Sequence, residues 1–395
     1  MTESSQPPVL PPVQPPAVAP SQHAHHMPAL DGIRGLAIAL VMVQHFFPFN
    51  DRGVTLLDSV VFGVANRCWM GVDLFFVLSG FLITGILWRA RGRDHFFRNF
   101  YMRRVLRIFP AYYLLLAIFF LLLPALSSAP IDAYLSDSAP DAFWHWTYLS
   151  NFRIAWRGEW YEQLIPNVFW SLAIEEQFYM VWPAVIWFIS RRGLYALCTF
   201  LFFAALALRW VLALDPDVNW VTRFVLTPTR MDGLVLGSLL ALLYQSAHRD
   251  SAKLKQAILA CGAIGLLIVA YLTLQRHEGW QETPVQTLRF TGIALASGAL
   301  VWLCVTGENN TWLKRFFCLA PMRFLGKYSY ALYLWHGPAD ALVRHFFPPQ
   351  ELVFGSRVPA QLLFVSITTL VSIAAALLSW NLLERHCLRF KKAFA

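Results

Sequence analysis

The chain has 395 residues, of which 57% are hydrophobic and only 14% charged, and a formal net charge of +9. A soluble domain carries about 25% charged residues, so the composition excludes one and requires a polytopic membrane protein. In such a protein the positive surplus is first a topology signal, and no nucleic-acid-binding motif accompanies it.

Residues 1–28 are rich in Pro, Ala, Ser and Gln. Such a segment cannot bury enough apolar surface to fold, which predicts a disordered tail. Its His23, His25 and His26 fix no metal geometry there. The tail has neither a basic n-region nor an apolar core, so no signal peptide is expected. The six cysteines show no CxxC and no metal spacing, which argues against a disulfide framework and against a bound metal.

Ten apolar stretches near the length of a bilayer crossing follow. They cover 31–49, 69–88, 110–126, 167–190, 194–214, 230–246, 256–274, 285–306, 329–347 and 359–383. With the N-terminus placed in the cytoplasm, twenty Lys and Arg fall in inside segments and seven in outside loops, with five in or beside spans. The alternation predicts an all-α integral membrane protein with about ten transmembrane helices and both termini cytoplasmic. The expected organisation is a tail over 1–28, a membrane domain over 29–386 and a basic cytoplasmic tail over 387–395. The long loop 127–166 becomes an external, acidic and aromatic segment, suited to a lid or an acceptor platform.

The first stretch, LDGIRGLAIALVMVQHFFPFN, is apolar yet carries Arg34 and His45. Eleven residues on an α-helix are about 1100° and about 16.5 Å, so both side chains share one face at different depths. Ionisable groups at membrane depth face a protein interior or a wet cavity. Base, ligand, proton relay and structural histidine all fit this stretch. In the second, Asp73, Val77, Gly80 and Thr84 share a stripe. Close packing accounts for Ser79 and Gly80, but not for Asp73. Arg104 and Arg107 stand three apart at the approach to the third span. They fit a positive-inside anchor and a phosphate grip equally.

The fourth span places Glu175 and Glu176 after Ser171, with Ser171, Glu175, Phe178 and Tyr179 on one face. Two carboxyls there must be neutral, paired or wet. In the sixth, Gly233, Gly237 and Ala241 form a packing face, and Arg230 and Asp232 sit at its end. The ninth carries Ser329, Tyr333, His336 and Asp340 as a polar stripe, which serves helix packing or function.

In this order the motifs resemble the acyltransferase-3 family of bacterial membrane acyltransferases, over roughly residues 28–386. They are Arg34-x10-His45, GVDLFFVLSGFLIT, Arg104-x-x-Arg107 with Ile108 and Pro110, FWSLAIEEQFYMVWP, RMDGLVLGSLLA and FLGKYSYALYLWH. The family often closes on Glu-Arg-Pro, where this chain has Glu384-Arg385-His386. Some members carry a fused extracellular esterase-like domain, for which these residues show no counterpart. The resemblance implies transfer of an acyl group, commonly acetyl from acetyl-CoA, to a hydroxyl of a glycan, lipid-linked saccharide or related acceptor at the bacterial inner membrane. It implies His45 as the catalytic residue, Arg34 as its motif partner and Arg104 and Arg107 as acyl-CoA contacts. Asp73 or Glu175 is expected to orient His45. Ser171, Glu176, Tyr179, Tyr333 and His336 are the expected substrate contacts. The competing class is a proton-coupled transporter or flippase of a glycolipid, since buried His, Asp and Glu also build proton relays. That class often shows repeated halves, and none is evident here.

Overall fold

Each apolar stretch becomes a helix because a backbone in lipid must satisfy its own hydrogen bonds. A computed structural model describes residues 27–48, 54–126, 135–275, 282–308, 311–349 and 352–394. Ten helices of 14 residues or more occur among them. They are α1 (Pro28–Phe46), α2 (Met70–Ala90), α3 (Phe96–Ala117), α4 (Phe169–Phe188), α5 (Arg191–Leu214), α6 (Met231–Tyr244), α7 (Ala252–Leu274), α8 (Phe290–Thr306), α9 (Ser329–Phe346) and α10 (Val358–Ser379). Each overlaps one of the ten predicted stretches. No strand occurs among the described residues. The tail with His23, His25 and His26, apart from its last residues, and positions 127–134 of the long loop lie outside the described residues.

Local chemistry sets several boundaries. Pro28 opens α1, where its missing N–H costs nothing. Ser190 caps α5 by accepting from the Gly193 N–H at 3.2 Å. A short helix, Leu56–Ala65, begins with a reciprocal capping box between Thr55 and Asp58.

Among the described residues, seven helical segments are long and apolar enough to cross a membrane by themselves. The helices α4, α6 and α9 are not among them. At 14 residues α6 spans about 21 Å, short of a hydrocarbon core of about 30 Å. The other two carry the Glu175–Glu176 pair and the His336–Asp340 stripe. Helices that hold polar stations gain less from lipid and depend on neighbours for cover. The exposed surface of α5 and α7 is, by contrast, apolar, with Phe200, Phe203, Trp210, Leu266 and Leu267 turned outward. Lipid tails would cover such a surface. The protein is thus an all-helical, polytopic membrane protein.

At the centre, α2 packs against α1, α4, α6 and α8, and α9 packs against α1 and α10. The α2–α6 contact is backbone to backbone. A Cβ on Gly80 would stand 1.9 Å from the Leu234 carbonyl oxygen, and one on Gly237 would stand 2.0 Å from that of Val77. The packing role expected for Gly80 and Gly237 is therefore present. Ser79, expected to pack with Gly80, turns instead to Glu175.

Gly80→Ala should lower the thermal stability of the detergent-solubilised protein by about 1–3 kcal/mol, the usual cost of overpacking. Gly85→Ala, on the same helix, should be nearly neutral, since its new Cβ meets nothing nearer than 3.6 Å. Equal melting of the two variants would contradict the close α2–α6 approach.

Candidate active site

The shared face of Arg34 and His45 leads to two separate spaces. Arg34 lines a small pocket of about 80 Å³, together with Arg104, Arg107, Glu175, Glu176 and Tyr179. His45 lines a larger cavity of about 440 Å³ towards the other end of the bundle. Tyr333 lines both, as does Val72. The phenol of Tyr333 donates to the Val168 carbonyl at 3.0 Å. That leaves the Ser171 hydroxyl to donate to the phenol oxygen at 2.6 Å. Helices α4 and α9 are thereby pinned where the two spaces adjoin.

The small pocket answers the question posed by two adjacent glutamates. Both face three guanidiniums rather than lipid. Glu175 accepts from Ser79 Oγ at 2.8 Å and from the Tyr179 hydroxyl at 3.0 Å. The Arg104 guanidinium lies 5.3 Å from the centroid of the Tyr179 ring. Two acids against three arginines leave one formal positive charge in excess, in a space of only a few water volumes. Such a space suits an acyl group with an anion at the pocket mouth, and not a nucleotide.

The larger cavity is walled by Trp69, Trp160, Trp170, Trp220 and Phe224. Flat aromatic faces with few polar groups suit the apolar face of a sugar ring. Trp160 and its neighbours Tyr161, Glu162 and Leu164 come from the long loop. That loop is tied by ion pairs, Arg157 to Asp137 at 2.6 Å and Arg153 to Asp141 at 2.7 Å. Burial raises the Asp137 carboxyl, yet the hydrogen bonds from Arg157 and the Glu162 N–H outweigh it and hold the group below its ordinary range. The described part of the loop, from residue 135, therefore forms a fixed wall of the cavity.

His45 meets another helix at this depth. Its Nδ1 lies 2.8 Å from Nε2 of His336 on α9. Neither carboxylate expected to orient it takes that place. Asp73 bonds Arg230 at 2.6 Å, both side chains being almost completely buried. Asp232 bonds Arg209 at 2.7 Å and Thr291 at 3.1 Å. The Arg230 guanidinium lies 4.1 Å from the centre of the Phe290 ring. The four charges cancel within the protein, a structural use of Asp73. Glu175 is held in the small pocket by Ser79 and Tyr179. Of the polar stripe on α9, Ser329 and Tyr333 line the small pocket, His336 meets His45, and Asp340 bonds its own helix neighbour Arg344 at 2.8 Å.

The tryptophan wall escaped sequence reading because its members lie in segments 69, 160–170 and 220 that only packing unites. Trp is also expected at membrane interfaces, which hides the signal. The His45–His336 pair was equally hidden. The short helix Ala320–Lys327 packs along α1, so depth on α9 cannot be counted from a membrane boundary.

Residues 27–380 match a family model described as an acyltransferase domain. Curated relatives include a Bacillus subtilis protein provisionally named peptidoglycan O-acetyltransferase YrhL, 28% identical over 92% of this chain and 55% of that protein. The O-acetyltransferase OatA of Staphylococcus aureus is 27% identical over 82% of this chain and 52% of its own. The peptidoglycan O-acetyltransferase OatA of Listeria monocytogenes is 27% identical over 80% and 50%. The chain spans about half the length of these curated relatives. No solved structure matches it. With the motifs in order and nearly the whole membrane domain matched, the chain belongs to the acyltransferase-3 family of membrane acyltransferases.

Proposed function

We propose that the protein is an O-acyltransferase of the bacterial cytoplasmic membrane, which moves an acyl group from acyl-CoA, most simply acetyl-CoA, to a hydroxyl of an envelope or secreted glycan. The observation that carries this is the pair of adjoining spaces, one rich in arginine and one walled by tryptophan, divided at Tyr333. The peptidoglycan O-acetyltransferases among the relatives support a glycan acceptor. In the proposed orientation the arginine pocket faces the cytoplasm and the tryptophan cavity faces outward, with both termini inside.

Arg104 and Arg107 hold donor phosphate at the pocket mouth, where a planar fork outperforms an ammonium. The acyl group reaches the boundary at Tyr333. The sugar stacks in the tryptophan cavity and presents its hydroxyl to His45. His45 takes the hydroxyl proton as the oxygen attacks the acyl carbonyl carbon. Arg34 donates to the resulting oxyanion, since the hydroxyl protons of Tyr333 and Ser171 are already given to the Val168 carbonyl and to Tyr333. The carbon–sulfur bond then breaks, the ester leaves with the acyl group, and the proton passes from His45 to the departing sulfur.

Sidedness is open to a direct check. Reporter fusions at Gln163 and Lys392 should report opposite sides of the membrane, and the same side for both would end the proposed orientation. The two halves of the site should also separate kinetically. Arg104→Ala and Arg107→Ala should each weaken acetyl-CoA binding about tenfold or more, the loss of a hydrogen bond between charged groups. His45→Ala should bind acetyl-CoA normally and lose transfer by about 10²- to 10⁴-fold. Unchanged donor affinity in both arginine variants would reduce the pair to a topology anchor. Full transfer by His45→Ala would remove it from the chemistry.

A further inference from the structure

We infer that His336 is the positioning residue of the site: it selects the tautomer of His45 and so determines that Nε2, not Nδ1, takes the acceptor's proton. This builds on the base role proposed above for His45.

The assignment follows from where protons are allowed to be. Nδ1 of His336 lies 2.7 Å from the Tyr333 carbonyl oxygen and 3.2 Å from that of Leu332. A carbonyl oxygen only accepts, so Nδ1 of His336 must carry hydrogen. In a neutral ring that leaves a lone pair on Nε2. This lone pair faces Nδ1 of His45 at 2.8 Å, so Nδ1 of His45 must be the donor. A neutral His45 then has its own lone pair on Nε2. No described residue hydrogen-bonds that nitrogen, and His45 lines the tryptophan cavity.

The ring geometry fits a hydrogen bond rather than a face-to-face stack. The planes are 14° apart and the centroids 5.0 Å apart, while the two nitrogens approach to 2.8 Å. Nearly parallel rings can bring single nitrogens that close at such a centroid distance only by lying edge to edge. His336 is fully buried, with the Phe46 and Tyr333 rings on its sides, so its orientation is held by packing as well as by the helix carbonyls.

A histidine does this task differently from the carboxylate of a hydrolase triad. As His45 takes the hydroxyl proton, its Nδ1–H becomes a stronger donor to His336 Nε2, which steadies the cation without adding a fixed negative charge to an apolar bundle. The chain already uses its buried acids elsewhere, Asp73 on Arg230 and Glu175 in the arginine pocket. The bond also ties the base on α1 to the helix that carries Tyr333, so base and dividing wall move together.

The decisive measurement reads the tautomer in the wild-type chain. Histidine labelled with nitrogen-15 in the full chain, reconstituted in bilayers at a pH where both rings are neutral, should show His45 with hydrogen on Nδ1 and none on Nε2. The resonance is assigned by its loss in His45→Ala. The opposite tautomer, or an even mixture, would overturn the inference. Two variants give a second reading. His336→Gln keeps an acceptor oxygen for the His45 Nδ1–H and should hold kcat within about tenfold of wild type, at unchanged acetyl-CoA affinity. His336→Phe keeps bulk but no acceptor and should lose roughly 10²-fold or more in kcat, as a base in the wrong tautomer does. Equal kcat for the two, in folded protein, would also overturn it. Were His45→Ala fully active, the base role itself would fall. Were His45→Ala inactive while His336→Phe matched wild type, only the positioning role would.

Discussion

The structure depends on one constraint: a charge inside an apolar helix bundle must be compensated where it stands. Removing one partner of a buried ion pair typically costs about 3–5 kcal/mol, a large part of a protein's net stability. The ionisable residues of this chain divide accordingly. Asp73, Arg230, Asp232 and Arg209 cancel one another across α2, α5 and α6, with Thr291 of α8 completing the network. Arg34, Arg104, Arg107 and His45 border open space, and Arg230 lines the tryptophan cavity while holding Asp73. The ion-paired set holds helices together, and the residues that border the two spaces can meet a ligand.

The same constraint explains why three polar helices sit among apolar ones. Gly80 and Gly237 let α2 and α6 meet backbone to backbone, which positions Asp73 within reach of Arg230. The Ser79 hydroxyl, on the adjoining face of α2, then reaches Glu175 on α4. From α4 the chain of contacts runs through Ser171 to Tyr333 on α9, and from α9 through His336 back to His45 on α1. Packing, charge pairing and the division between two spaces are parts of one arrangement.

Much of the fold was legible from periodicity and apolar length alone. The ten predicted stretches each hold a helix, because in lipid an apolar run has one way to satisfy its backbone. The one-face relation of Arg34 and His45 was also legible, being fixed by helix geometry. What lay between them was not. Sequence spacing says nothing of Tyr333 dividing their surroundings, since Tyr333 lies almost 300 positions away. Asp73 was readable as an unusual group but not as the partner of Arg230, a contact 157 positions long. Its place as an acid in an apolar span, which packing alone does not explain, suggested chemistry, and in the structure it pairs with Arg230. The tryptophan wall left no periodic trace because its members belong to different helices and a loop.

Whether His45 acts on the acceptor hydroxyl or carries the acyl group itself is the point on which the two-sided account turns. Purified, reconstituted protein should be incubated with isotopically labelled acetyl-CoA in the absence of acceptor, and the intact chain weighed and then digested. A base that waits for a hydroxyl in the tryptophan cavity predicts no stoichiometric label on the chain, with transfer beginning when a glycan acceptor is added. Stable, stoichiometric acetyl on His45 would contradict the account and replace direct transfer with an acyl-enzyme.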